Sequence, residues 1–219
     1  MTNPHLGQPV LTSGGSLEGC RAVALLFHGR GRTPDEMIAL AARMAVPGVA
    51  YLAPTAAGST WYPYSFLEPL ERNEPALAHA LAAYDALVND LLGRGIEQRR
   101  MVLIGFSQGA CLTAEYAVRH AGRYGGVALF TGGLIGPPGT RWEKTGTFDG
   151  TPIFLGGSTT DAFVPLARMR ESAAIFRERG AHVTEQFYNQ DGHVVTEDEI
   201  VAARTIVQAA AGVVEAARG

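Results

Sequence analysis

The sequence predicts an α/β fold, a mostly parallel sheet with helices on both faces. Three observations predict it. Short, continuous apolar runs, such as residues 23–27 and 126–130, have the character of strands buried on both faces. These runs alternate with segments of helical periodicity along most of the 219 residues. Glycine-rich turns, His28-Gly29-Arg30-Gly31 and Gly105-Phe106-Ser107-Gln108-Gly109, stand directly after two of the runs. The hydrophobic share of 47% and charged share of 18% suit a packed core and not a disordered chain. The sequence contains neither an internal repeat nor a second domain boundary, so one domain is expected over residues 1–219.

Each element has a local reason. Residues 10–13 suit an edge strand, expected to pair through a turn at Gly14-Gly15. Residues 23–27 are the first buried strand. Thr33 then precedes Pro34 at a first helical position, and Asp35 and Glu36 suit the positive end of a helix running to Met44. A strand over 49–52 follows. Residues 53–74 form a long connection too aromatic for disorder, and long loops in compact domains are usually functional. A helix over 75–92 stops at Gly93-Arg94-Gly95. Then come a strand over 101–104, a helix over 110–120 and a strand over 126–130. Residues 131–150 make a second long connection, rich in Gly and Pro. A strand over 152–155 leads to a helix over 166–179, stopped by Gly180. Residues 181–188 alternate through Val183, Glu185 and Phe187 as a strand does. Thr196 with Glu199 three residues on forms a capping box for a last helix reaching about Ala216.

The chemistry centres on Gly105-Phe106-Ser107-Gln108-Gly109. A strand, a tight turn and a helix together lift a serine hydroxyl clear of a sheet. A side chain at either glycine would collide with a neighbouring element, and the serine must hold a strained backbone. A serine hydroxyl needs a base, and the base needs an acid to orient it. In open parallel sheets such groups gather at the carboxyl ends of strands. Asp161 stands just past the strand that ends in Leu155-Gly156-Gly157, and His193 follows the next strand. Gly192 permits the turn that aims an imidazole back at Ser107. The other candidates fit less well. Asp191 shares the loop of His193 without ending a strand of its own, and Asp149 lies at the wrong end of its strand. Asp198 is explained by a helix dipole. His79 and His120 fall in helices, His182 opens a strand, and His5 precedes the first strand.

Acyl transfer also needs donors for a developing oxyanion. The backbone N–H of Gln108 is one, and the N–H of Arg30, in the turn after the first buried strand, is the other. His28 is expected to hydrogen-bond within that turn. A phosphate loop is excluded there, because the G-x-G-x-x-G spacing and the Walker lysine are both missing. Substrate contacts are expected from Trp61, Tyr64 and Phe66 in the first long connection. Leu134 and Ile135 follow a strand end, and Phe163 lies two residues past Asp161. The Arg30 side chain is placed at the rim, where it would attract anionic substrates.

With these residues in the order Ser, Asp, His, the chain resembles the phospholipase/carboxylesterase family of α/β-hydrolases. The matching segments are Leu26-Phe27-His28-Gly29-Arg30-Gly31, Gly105-Phe106-Ser107-Gln108-Gly109-Ala110, Thr131-Gly132-Gly133-Leu134, Asp161-Ala162-Phe163-Val164-Pro165 and Gly192-His193. Glutamine after the serine is typical of that family. The resemblance implies a serine esterase without a large helical cap, often a homodimer. Arg30 and the segment Trp61-Tyr62-Pro63-Tyr64-Ser65-Phe66 look more like bacterial carboxylesterases than acyl-protein thioesterases. A thioesterase or lysophospholipase is the alternative, and a non-catalytic binding member of the fold is a further one.

Charge and composition narrow the partners. A net charge of −3 gives no basic field for nucleic acid. The apolar runs are too short to span a bilayer. The first residues have neither a basic nor an apolar leader region, and Cys20 and Cys111 lack metal spacing, so a cytoplasmic protein with free thiols is expected. The expected partner is a small-molecule ester. The chemistry requires no metal or organic cofactor.

Overall fold

A computed structural model of the chain describes residues 2–189 and 192–212. Seven strands form one sheet: β1 (Val10–Gly14), β2 (Ala22–Phe27), β3 (Val49–Pro54), β4 (Met101–Phe106), β5 (Gly126–Phe130), β6 (Pro152–Ser158) and β7 (His182–Tyr188). Their spatial order is β1-β3-β2-β4-β5-β6-β7. Every pairing from β3 to β7 is parallel, and β1 alone is antiparallel, along β3. This is the α/β-hydrolase arrangement.

The helices are α1 (Pro34–Met44), α2 (Leu70–Asn73), α3 (Ala76–Gly93), α4 (Gln108–Arg119), α5 (Leu166–Glu178) and α6 (Glu197–Ala210). They cover both faces, and alternation along each strand divides the core in two. Val23, Leu25 and Phe27 of β2 point toward α3, α4 and α5, with Leu77, Leu112 and Phe176. Ala22, Ala24 and Leu26 point the other way, toward α1 and α6, with Met37, Leu40 and Ile200. A strand buried on both faces must be apolar at every position, and β2, β4 and β5 are fully buried. No described helix is long and apolar enough to cross a membrane.

Local signals explain the element ends. Thr196 accepts the Glu199 N–H at 3.3 Å, and Glu199 Oε2 accepts the Thr196 N–H at 2.7 Å, so the capping box forms. Helix α6 ends at Ala210, because Ala211 caps it and Gly212 turns the chain away at φ 65°. That is short of the expected Ala216, which lies outside the described residues. Other expectations need correction. The first strand does not form a hairpin with β2. The turn at Gly14-Gly15 lets β1 run along the far side of β3, from Val10 opposite Pro54 to Gly14 opposite Ala50, and Gly15 N–H then donates to Val49 O at 2.8 Å. The 53–74 connection contains a 3₁₀ turn, Ala57–Ser59, and the short helix α2. Helix α4 begins at Gln108, two residues before the expected Ala110, because Ser107 itself is its N-cap.

Candidate active site

The turn between β4 and α4 is built by exclusion. A Cβ at Gly105 would lie 2.4 Å from Gly109 O, and one at Gly109 would lie 2.0 Å from Phe27 O. Neither position has room for a side chain. Ser107 between them holds φ 55° and ψ −119°, a strained conformation for a residue with a Cβ. Its N–H donates to Phe130 O at 2.9 Å, which ties the strained turn to β5. At the N-terminus of α4 the helix dipole favours negative charge.

The neighbouring strands bring partners to it. Asp161 lies in the loop after β6, and His193 in the loop after β7. His193 Nε2 is 2.6 Å from Ser107 Oγ, and Nδ1 is 2.7 Å from Asp161 Oδ2. An ionised carboxylate only accepts, so Nδ1 carries the proton and Nε2 is left to accept from the serine. Asp161 Oδ1 takes the N–H groups of Phe163 and Val164, each at 2.8 Å, and its side chain is 0% exposed. The imidazole is held between two rings, Phe106 and Phe163, each with its centroid 5.1 Å away. Gly192 has φ 132°, which the turn into His193 needs. Asp191, the weaker acid candidate, lies outside the described residues.

Beside Ser107 opens a cavity of about 520 Å³. Tyr64, Phe66 and Phe163 line it. Phe163 is 68% exposed, at the mouth. Trp61, Leu134 and Ile135 do not line it. Trp61 faces inward, its indole N–H donating to His28 O at 2.8 Å and its ring packing on Phe27. Leu134 and Ile135 are fully buried, because the chain after β5 folds over α4 and α5. Their N–H groups donate to Ser172 Oγ at 2.9 Å and Glu115 Oε2 at 3.2 Å, and buried Arg168 donates to the carbonyls of Leu134 and Gly136.

Sequence reasoning passed over Tyr62, Phe106, Arg32, Cys111 and Val164, which also line the cavity. Phe106 was findable, since the residue before an elbow serine is bound to flank it. Tyr62 sits beside Trp61 in the same aromatic run, and nothing in the run tells which ring turns outward. Cys111 is buried, and burial pushes its thiol up to about 12, so it stays neutral.

The turn after β2 is locked against the aromatic loop. His28 Nδ1 lies 2.8 Å from Gly29 O, and Nε2 accepts the Ala56 N–H at 3.1 Å, which requires the neutral Nδ1–H form. Burial correspondingly lowers its pKa. Gly31 N–H donates to Ser59 O at 2.7 Å. The Arg30 guanidinium donates through Nη1 to Pro63 O and through Nη2 to Tyr64 O, the latter at 2.5 Å. From the elbow side, Gln108 Oε1 accepts the Trp61 N–H at 2.9 Å and Nε2 donates to Tyr62 O at 2.7 Å. The residues expected to supply oxyanion donors thus also clamp the cavity wall. Among the described residues no three His, Cys, Asp or Glu side chains converge to hold a metal ion.

Known proteins resemble this chain over most of its length. Residues 17–211 match the family model described as Phospholipase/Carboxylesterase. The crystal structure of a phospholipase/carboxylesterase from Dyadobacter fermentans superposes with a TM-score of 0.88 at 36% identity, covering 92% of this chain and 96% of that one. The Bacillus cereus carboxylesterase shares the fold, with a TM-score of 0.73 at 18% identity over 94% of this chain and 95% of that one. Acyl-protein thioesterase 1 of Eremothecium gossypii is 35% identical over 82 residues, 36% of this chain but only 33% of that protein. The chain belongs to the phospholipase/carboxylesterase family of α/β-hydrolases, a family of esterases and thioesterases.

Proposed function

We propose that the chain is a serine carboxylesterase, with Ser107, His193 and Asp161 as its catalytic triad and residues 1–219 as one catalytic domain. The observation that carries this reading is the unbroken hydrogen-bonded line from Ser107 Oγ through His193 to Asp161, at 2.6 and 2.7 Å. Ser107 Oγ attacks the acyl carbonyl while His193 Nε2 takes its proton. Asp161 stabilises the imidazolium that results. The carbonyl oxygen, now negative, is held by the backbone N–H groups of Arg30 and Gln108. Collapse expels the alcohol, which leaves with the proton from His193. Water then attacks the acyl-enzyme by the same route in reverse and frees the acid. The open cavity of about 520 Å³ suits small to medium acyl esters.

Ser107→Ala removes the nucleophile and should abolish hydrolysis of short p-nitrophenyl esters. Wild-type-like turnover in that variant would falsify the assignment. Ser107→Cys should keep at most slow turnover. The likeness to acyl-protein thioesterase 1 supports a second reading, a thioesterase. Matched oxo- and thioesters of one acyl chain separate the two: a kcat/KM favouring the thioester would select the second reading.

A further inference from the structure

Two guanidiniums line the cavity beside Ser107, Arg30 and Arg32, and among the described residues no Asp or Glu lines it. Arg32 is already paired, its Nη1 2.8 Å from Glu36 Oε2. Arg30 makes no ion pair with a described carboxylate. Its charge is held in place instead, by the two backbone carbonyls of Pro63 and Tyr64. Those bonds orient the guanidinium without neutralising it. A guanidinium has five N–H donors, so three remain after the two carbonyls are served. The group also lies 6.0 Å from the centroid of the Tyr62 ring, another wall of the cavity. The turn that carries it is closed by Arg32 N–H to Gly29 O at 3.1 Å and Gly31 N–H to Ser59 O. The result is a fixed positive fork in a chain whose net charge is −3.

We infer that Arg30 is the residue that selects substrates by charge, and that the preferred substrates are esters carrying a carboxylate in their acyl or alcohol portion. The inference rests on the esterase reading of Ser107 and narrows it. A planar fork matches a carboxylate in two-point geometry, and its orientation costs little when the protein has already fixed it. A cavity with an unbalanced cation also disfavours cationic esters. If the side chain served only to hold the 62–64 loop, a neutral donor would do as well.

The test uses matched pairs on the full chain. For the acyl side they are p-nitrophenyl butyrate and mono-p-nitrophenyl succinate. For the alcohol side they are the butyrate esters of methyl 3-hydroxybenzoate and of 3-hydroxybenzoate. The Arg30 side chain is exposed, so the expected gain is about five- to tenfold in kcat/KM for the charged member of one pair, chiefly through KM. That range lies between a solvent-screened contact and a charge-assisted hydrogen bond. The pair that shows the gain identifies the side that carries the charge. Arg30→Met should bring the ratio to about one, and Arg30→Lys, which keeps the charge but loses the fork, should retain part of it. Raising salt should lower the wild-type ratio. A wild-type ratio at or below one in both pairs overturns the inference, and so does a ratio unchanged in Arg30→Met. Turnover of neutral esters without charge preference would leave the esterase reading intact. Absence of turnover on all four esters would overturn that reading, and this one with it.

Discussion

Gln108→Ala separates the backbone of the elbow from its side chain. The carboxamide is buried, and it makes three hydrogen bonds to one loop: from Trp61 N–H at 2.9 Å, from Thr60 Oγ1 at 3.3 Å, and to Tyr62 O at 2.7 Å. Thr60 Oγ1 has a second acceptor, Tyr62 O at 3.1 Å, so its loss is small. Trp61 N–H is left without an acceptor in buried surroundings, whereas Tyr62 O keeps the Thr60 hydroxyl as a donor. An orphaned buried group costs about 1–3 kcal/mol, and the change costs roughly that. For a chain of this length that lowers Tm by roughly 3–9 °C. The backbone N–H of residue 108 survives the change. Hydrolysis should therefore persist, with kcat/KM lower by about ten- to a hundredfold as the wall around Tyr62 loosens. Thermal melting followed by circular dichroism, with p-nitrophenyl butyrate kinetics on the same sample, measures both. A Tm within about 2 °C of wild type would refute the clamp, since orphaned buried groups cannot be that cheap.

Further outcomes follow from the same geometry. Asp161→Asn should leave the fold intact, because the amide oxygen can still accept from Phe163 and Val164, yet lower kcat by roughly 10³–10⁴ by favouring the wrong imidazole tautomer; a loss under tenfold would contradict the assigned orientation. Gly109→Ala should destabilise by at least about 1–3 kcal/mol, since its Cβ meets the Phe27 carbonyl, whereas Gly93→Ala in open space should be neutral or stabilising. Chemical denaturation of the two variants makes the comparison, and equal effects would sink the packing argument. For His28, burial depresses the folded pKa below the usual 6.5. The unfolded chain then binds the proton first, so stability is full above about pH 6.5 and falls as pH drops through the depressed value. His28→Gln should lose less stability than wild type between pH 7 and 5, and parallel curves would rule out this contribution.

How much of this was legible depended on where each residue sits. Ser107, Asp161 and His193 each follow a buried strand, and parallel topology places all such loops at one edge. Their meeting thus follows from element order alone. Asp149 and His182 were set aside by the same rule, and both flank the opposite strand ends, before β6 and at the start of β7. The cavity wall was less legible. Trp61 and Tyr62 are adjacent and chemically alike, and only the hydrogen bonds to His28 and Gln108 decide that Tyr62 faces the cavity. Leu134 and Ile135 follow a strand end as Ser107 does. They turn inward because Glu115 and Arg168 are buried to receive them, and charged residues on helices carry no such sign in sequence. The pairing of β1 across β3 was hidden for a related reason. A strand partner outside the immediate neighbourhood leaves no mark on local pattern. Arg30 changed most in meaning: a rim charge became a clamp with donors to spare.

The central claim is that Ser107 carries the acyl group. Treating the wild-type chain with a fluorophosphonate and digesting it for mass spectrometry tests this most directly. A single phosphonyl adduct is expected on Ser107, formed slowly or not at all in His193→Ala, which lacks the base. Absence of an adduct, or an adduct on another residue with Ser107 unmodified, would contradict it.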